Sequence, residues 1–316
     1  MNSPSSKRIA VPSNVAWGDA QLHLTSTVSV LVGLDNGAYP SGNSLLIQGA
    51  GEAALIDPSV TVVSKGGAPC AVDIIINSHG HEDHIAGNGL FANAKVAIHD
   101  ADLPAVKSID GLMDVYGFTG DIKDNFRSTV MEEFSYAPRP DAEGFSDGHV
   151  FDLGGGVDIT AVHLPGHTRG HSGFMVDNVF FLSDIDLTGF GPYYGDVWSD
   201  LEQFDESLAK AREIEADFYV TFHHKGVIEG RSQFLEMIDK FHAVIDTRHQ
   251  RMLEYLQVPR SLDEMADHRF VYRPKVTLPF APLVEHRVAE MHVDRMLRRG
   301  EASEVEPGLF KATSPS

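Results

Sequence analysis

Only one cysteine, Cys70, occurs in the 316 residues. That excludes an internal disulfide and any zinc site assembled from several thiolates. No run approaches the roughly 18 apolar residues needed to span a bilayer. The N-terminal segment ahead of Gln21 has the basic pair Lys7-Arg8 but no apolar stretch behind it, so neither a secretory leader nor an anchor is expected and the location is read as cytoplasmic. Basic residues are scarce: 25 Lys+Arg stand against 45 Asp+Glu, a formal charge of −20. The imbalance lies in residues 1–240, which hold 14 basic and 34 acidic side chains, whereas residues 241–316 hold 11 of each. Such an acidic body repels phosphate backbones, so nucleic acid is a disfavoured partner, and most of the carboxylates are read as a solvated surface.

Histidine, by contrast, is plentiful, with 16 residues, and its placement is informative. The apolar segment Val72–Asn77 is read as a strand, and it runs into Ser78-His79-Gly80-His81-Glu82-Asp83-His84. Alternation lets His79 and His81 face one point while Asp83 and His84, past the turn, face a second point nearby. Further candidate ligands stand at other strand ends. His167 follows the strand Val157–His163 after a Pro-Gly stop, Asp184 ends the apolar run Val179–Leu182, and His223 and His224 end Phe218–Phe222. A lone carboxylate such as Asp184 at the end of an apolar strand is costly to bury, whereas one shared by two dications is not.

Other short strands are expected at Thr27–Leu34, Ser44–Gln48, Ala53–Ile56, Val96–His99 and Gly173–Val176, with Asp177-Asn178 as a tight hairpin turn. The segment 199–215 switches to helical period, with Ser199 and Glu202 as a capping box. Residues 102–148 read as helical turns and loops overhanging the site. Beyond residue 233, helices are expected at Phe234–Gln257, Ser261–His268 and Leu283–Arg299, the last ended by Gly300 and followed by a wing-like tail.

The order HGHEDH, PGHTRGH, LSD and FHHKG, together with Gly42–Ile47 and Ala54–Pro58, resembles the metallo-β-lactamase superfamily over roughly residues 25–230. The resemblance implies an α/β (α+β) fold, a four-layer αββα sandwich over residues 1–240, with a small helical, winged-helix-like appendage over 241–316. It implies that His79, His81 and His167 hold one metal, that Asp83, His84 and a terminal histidine hold the other, and that Asp184 bridges them. The family's last motif is Pro-Gly-His-Gly; here it reads Phe222-His223-His224-Lys225-Gly226, and counting from the strand favours His224 over His223.

Two divalent ions, zinc first with iron or manganese as alternatives, would then supply a bridging hydroxide at neutral pH. Asp83 and Asp184 would carry the catalysis. The implied activity is hydrolysis of a carboxyl ester, thioester or lactone on a small molecule by a soluble protein, with a homodimer as the assembly that the resemblance suggests. Leu187, where lactonases of the superfamily place a tyrosine, weakens the lactone reading without removing it; His81, where its diiron oxidoreductases have glutamate, argues against that other branch. RNA cleavage is the alternative, with Arg295, Arg298 and Arg299 as its basic patch, and a mono-iron persulfide dioxygenase using only the first metal position is a third reading.

Among neighbouring residues, His171 is read as either a ligand orienter or a structural histidine, Asp186 as a turn cap, Glu82 as solvated and Cys70 as a small buried hydrophobe. Tyr193, Tyr194 and Trp198 are candidates to line a pocket.

Overall fold

The structure is a computed structural model that describes residues 15–313. Lys7 and Arg8, on which the reading of the leader partly rested, lie outside the described residues. Among those described, no helix is long and apolar enough to cross a membrane.

Seven strands form the first sheet in chain order: β1 (Gln21–His23), β2 (Val28–Leu31), β3 (Ser44–Gln48), β4 (Ala53–Ile56), β5 (Ile74–Asn77), β6 (Lys95–His99) and β7 (Glu143–Phe145). The first four pair antiparallel and the last four parallel. Parallel pairing requires crossovers, and these are α1 (Val60–Lys65) between β4 and β5, the His79–His84 loop between β5 and β6, and α2 (Leu103–Lys107), α3 (Ile109–Tyr116) and α4 (Gly120–Glu132) between β6 and β7. The stretch 102–148, read as helical turns and loops, thus holds three helices with loops between them.

The second sheet contains β8 (Val150–Asp152), β9 (Asp158–His163), β10 (Ser172–Val176), β11 (Val179–Ser183), β12 (Phe218–Thr221) and β13 (Val227–Glu229), ordered β13-β12-β11-β10-β9-β8. The β10–β11 hairpin turns on Asp177 and Asn178, both left-handed at φ 49° and 60°, as a type I′ turn requires. The helix α5 (Leu201–Glu213) carries the parallel crossover from β11 to β12. Its cap is Asp200, which accepts from Gln203 N; the expected Ser199–Glu202 box does not form, because the Ser199 hydroxyl is spent on the carbonyl of His167.

Alternation along buried strands assigns side chains to layers. Ile76, Leu45 and Val30 of the first sheet meet Phe174, Phe181 and Val220 of the second in the inner core. Ile75 and Ile98 point outward beneath Val106 and Leu112 of α2 and α3, and Leu46 and Leu55 pack on Trp17 and Val62. On the far side, Phe180, Leu182 and Tyr219 are covered by α5, α6 (Arg231–Tyr255) and α8 (Ala281–Arg299). The result is a mixed α/β sandwich with helices on both outer faces.

The C-terminal part adds α7 (Leu262–His268), which begins with a complete Ser261–Glu264 capping box, and the hairpin β14 (Ala302–Glu306) and β15 (Leu309–Ala312). The α6 helix runs unbroken through residues 240 and 241, and Val284, Val288 and Met296 of α8 share one apolar cluster with Phe180 and Leu182 of β11. The helical extension is therefore fused to the outer layer of the second sheet.

Strand direction is what locates the site. The strands β4, β5 and β6 run the same way, as do β9, β11 and β12, because β9 and β11 flank the antiparallel β10 and β12 is parallel to β11. The C-terminal ends of β5, β9, β11 and β12, each followed by a candidate ligand, meet at one edge. Cross-sheet bonds Ser172 N to Ser78 O and Asn43 N to Phe222 O close that edge.

Candidate metal centre

Two groups of ligand-type atoms converge at this edge. His79, His81, His167 and Asp184 offer one atom each within 4.8 Å of one another, and so do Asp83, His84 and His223. In the first group His81 Nδ1 lies 2.9 Å from His79 Nε2 and 3.0 Å from His167 Nε2. The Asp184 carboxylate links the groups: its Oδ2 is 3.2 Å from His167 Nε2 and 3.9 Å from His79 Nε2, while its Oδ1 is 3.0 Å from His84 Nε2 and 3.9 Å from His223 Nε2. The Asp83 Oδ2 lies 3.0 Å from His223 Nε2. Asp83 Oδ2, His84 Nε2 and Asp184 Oδ1 are nonetheless buried without a hydrogen-bond partner among the described residues. Buried lone pairs that face one another without a shared proton are costly, and a cation between them removes the cost. The donor set of imidazoles and carboxylates fits divalent zinc, iron or manganese.

His224, the terminal ligand expected from the sequence, lies in neither group. The β12 strand ends at Thr221, one residue earlier than counted, and the Phe222 ring stacks on His84 at 3.7 Å. The inward position therefore falls to His223, whose Nδ1 lies 2.9 Å from Gly37 O and 3.1 Å from Ser41 O, leaving Nε2 for the centre. His224 takes a left-handed φ of 59° and is exposed. Gly42 is obligatory beside this contact, since a Cβ there would sit 1.9 Å from the Phe222 ring.

Residues 39–239 match the family model of the metallo-beta-lactamase superfamily. The chain belongs to that superfamily. It is 24% identical over 252 residues to the beta-lactamase-like protein 2 homolog of Drosophila melanogaster, covering 77% of this chain and 76% of that one. Among solved structures, it resembles a metallo-beta-lactamase family protein from Thermus thermophilus (TM-score 0.69, 18% identity, 92% of this chain and 100% of that one). It also resembles a beta-lactamase domain protein from Burkholderia ambifaria (TM-score 0.66, 15% identity, 93% of each chain). Both superpose over the C-terminal extension as well as the sandwich. The superfamily fold with this His/Asp cluster is that of a metal-dependent hydrolase.

Around the superfamily cluster lies a layer of carboxylates that the sequence reading did not single out as functional. The Asp57 Oδ2 lies 2.8 Å from His84 Nδ1 and accepts from the Ser78 hydroxyl, which turns His84 Nε2 toward the centre. Asp196 Oδ2 does the same for His81, 3.0 Å from its Nε2. Asp102 accepts from Gly80 N (3.0 Å), Gly170 N (2.7 Å) and the Thr168 hydroxyl (2.6 Å), so one buried side chain ties the His79–His84 loop to the His167 loop. Burial raises the Asp102 carboxyl despite these donors. Each of the three follows a strand or sits in a polar turn, but no spacing rule connects them to the histidines they serve.

The electrostatics follow from this crowding. Burial opposes charge on His84, yet Asp184, Asp83 and Asp57 together outweigh it and hold its imidazole well above the usual value. His79 is lowered well below it by burial and by its neighbours His84 and His81. Burial opposes the Asp184 carboxylate too, but His84 and His223 keep it well below the ordinary range.

Several other expectations resolve. His171 is fully buried, its Nδ1 2.9 Å from Leu164 O and its Nε2 accepting from Asp184 N at 3.3 Å, so it positions the Asp184 backbone. Asp186 caps a turn, accepting from both Thr188 N and its hydroxyl. Glu82 is 4% exposed rather than solvated, because the Tyr39 and Tyr116 hydroxyls both donate to it. Cys70 is half-buried and packs against the Trp17, Leu46 and Leu55 cluster. Of the three aromatics, Tyr193 lines a cavity of about 410 Å³ above the cluster, whereas Tyr194 and Trp198 are packed in the cores behind it.

Proposed function

We propose that this chain is a two-metal hydrolase that cleaves a carboxyl ester, thioester or lactone of a small molecule. The observation that carries the reading is the Asp184 carboxylate, with Oδ2 turned to the His79–His81–His167 group and Oδ1 turned to His84 and His223. The first metal would be held by His79 Nε2, His81 Nδ1, His167 Nε2 and Asp184, and the second by Asp83, His84 Nε2, His223 Nε2 and Asp184. Bound together, two dications, zinc first and iron or manganese as alternatives, supply an activated water at neutral pH and Lewis acidity toward a carbonyl oxygen.

The chain's own residues do the rest. Asp57 and Asp196 fix which imidazole nitrogen is free at His84 and His81. Asp83, which lines the cavity beside the cluster, would accept a proton from the attacking water and return it to the leaving group. The cavity opens directly on His81, Asp83, His167, Asp184 and His223, so a carbonyl can reach the cluster while the rest of the substrate stays within the walls.

RNA cleavage is less well supported. Arg295 is buried, with Nε and Nη2 on Glu202 and Nη2 also on Asp205, and Arg298 bonds Glu202 as well. Two of the three arginines of the supposed basic patch are thus neutralised as part of the docking of α8 on α5. A mono-iron dioxygenase would leave Asp83, His84 and His223 without employment, although their ligand atoms converge as those of the first group do.

Metal analysis beside a panel of ester, thioester, lactone and RNA substrates tests the proposal. Two metals per chain and metal-dependent acyl hydrolysis are expected. One iron per chain with oxygen consumption, or RNA as the preferred substrate, would overturn it.

A further inference from the structure

The cavity over the metal centre is walled by Tyr39 and by aromatic and apolar side chains from three further parts of the chain. Tyr116, Phe118 and Phe126 come from the α3–α4 region, Phe190 and Tyr193 from the loop after β11, and Tyr272, Leu278 and Phe280 from the stretch between α7 and α8. The parts touch through their rings. Phe280 stacks on Phe118 with centroids 5.8 Å apart and meets Phe126 edge-on at 6.5 Å, while Phe190 lies 5.9 Å from Tyr272. The C-terminal extension therefore completes the wall, which the sandwich alone leaves open on that side.

Apart from the imidazoles of His81, His167, His223 and His224, the charged groups in this cavity are all acidic. Its lining includes Glu82, Asp83, Asp184, Asp186 and Asp196, and among the described residues no lysine or arginine faces it. Arg248, which supports the wall from behind, gives its guanidinium to the carbonyls of Phe190 and Pro192. A substrate anion at the metal end would meet cations, but an anionic group farther out would lose its hydration among rings and find no lysine or arginine to replace it. An uncharged apolar group would lose only water from its surface, and at this size the cavity holds a small molecule rather than a polymer.

We infer that the aromatic sleeve completed by Phe280 selects substrates whose acyl or leaving group is uncharged and apolar, and rejects those carrying an anionic group away from the scissile bond. The inference rests on the hydrolase reading for the word substrate, and adds which chemical class the site accepts. Glutathione-like, nucleotide-bearing and nucleic-acid substrates are excluded by it, whereas alkyl or aryl esters, thioesters and lactones are admitted.

A pair of fluorescent probes with one skeleton separates binding from catalysis: neutral N-phenyl-1-naphthylamine and its sulfonate, 8-anilino-1-naphthalenesulfonate, titrated into the metal-loaded protein. The neutral probe is expected to bind roughly tenfold or more tightly. Phe118→Ala and Phe280→Ala should each weaken it about three- to tenfold, while Val258→Ala, on an exposed apolar residue elsewhere, leaves it unchanged. Phe280→Lys should reverse the preference by admitting the sulfonate. Equal affinity for the two probes, or indifference to all three Phe variants, overturns the sleeve. In parallel, a neutral phenyl alkanoate and the phenyl monoester of a dicarboxylic acid of equal length are assayed for hydrolysis, with the neutral ester favoured in kcat/KM by about tenfold or more. If the probes behave as expected but neither ester is turned over, the sleeve's selectivity stands and the hydrolase reading fails. Faster hydrolysis of the anionic ester defeats the sleeve while sparing the hydrolase.

Discussion

Adjacent histidines give the sharpest test of the metal centre, because His223→Ala and His224→Ala differ by one position and should differ completely in effect. His223 offers Nε2 3.0 Å from Asp83 Oδ2 and 3.9 Å from Asp184 Oδ1, and its ring is fixed by the carbonyls of Gly37 and Ser41 at 2.9 and 3.1 Å. Removing it leaves the second group with Asp83, His84 and one oxygen of Asp184. Loss of a partner that merely orients a ligand costs about 10–100-fold in metal affinity, so loss of a ligand should cost at least 100-fold at this position, about 2.7 kcal/mol. The fold should lose less: one Nδ1 bond to a carbonyl is worth about 1 kcal/mol, or a few degrees in Tm. Equilibrium dialysis against a graded chelator, with metal content read by mass spectrometry, should show His223→Ala falling to one metal per chain under conditions where the parent keeps two. His224→Ala should keep both, since His224 is exposed at the cavity wall and belongs to neither ligand group. Two metals retained in His223→Ala, with one lost in His224→Ala, would refute the assignment.

Three further perturbations follow from the same structure. Asp184→Ala removes the carboxylate shared by both groups, so at least one metal and most of the turnover should go while circular dichroism stays unchanged; full activity with both metals would count decisively against the bridge. Asp102→Ala breaks three hydrogen bonds between the two ligand loops, and should cost about 2–4 kcal/mol in denaturant unfolding together with a 10–100-fold loss in metal affinity, with partial recovery in Asp102→Asn. His99, away from the centre, is lowered from 6.5 to about 4 by burial and by the stacked His163. The unfolded chain therefore takes up this proton first, and stability should fall as pH drops from about 6.5 and level off below about 4. Solvent near the ring limits the effect to about 1 kcal/mol. His99→Gln should flatten that part of the profile, and an unchanged profile would remove His99 from the account.

How far the sequence was legible depended on whether the signal was local. The ends of β3 and β4 coincide with the apolar runs at Ser44–Gln48 and Ala53–Ile56, and the Asp177-Asn178 turn is where two left-handed residues are needed. Such elements are fixed by alternation and turn chemistry within a few residues. The His79–His84 run, His167 and Asp184 were singled out on an equally local signal, since each lies just past the end of a strand, His167 after a Pro-Gly stop. The mistake at His224 came from one residue of strand end: Phe222, apolar and next to Thr221, reads as the last strand residue, but it leaves the ladder to stack on His84. In 102–148 helical turns were expected but their bounds were not, because α4 is polar on most of its surface and buries only Val130, so its period carries little signal. Phe118 and Phe280 are 162 positions apart in number, and nothing in either neighbourhood records that their rings meet.

The acidic excess of residues 1–240, read at first as solubility, has a second component. Asp57, Asp83 and Asp102 are among the buried carboxylates of this edge, along with Asp196 and Glu82, and burying so many carboxylates without cations would be prohibitive. Their partners are of two kinds. Asp102 and Glu82 are satisfied by neutral donors, namely backbone amides and hydroxyls. Asp57 and Asp196 face imidazoles whose second nitrogen points into the cluster, and Asp83 and Asp184 face that cluster directly. Positive charge bound at the cluster would thus be the counterpart of four carboxylates at once, reaching two of them through histidine rings. Metal removal should therefore be felt beyond the two ligand groups, as a loss of fixed orientation at His81 and His84, and it should be partly mimicked by Asp57→Asn and Asp196→Asn even though neither residue belongs to the ligand groups.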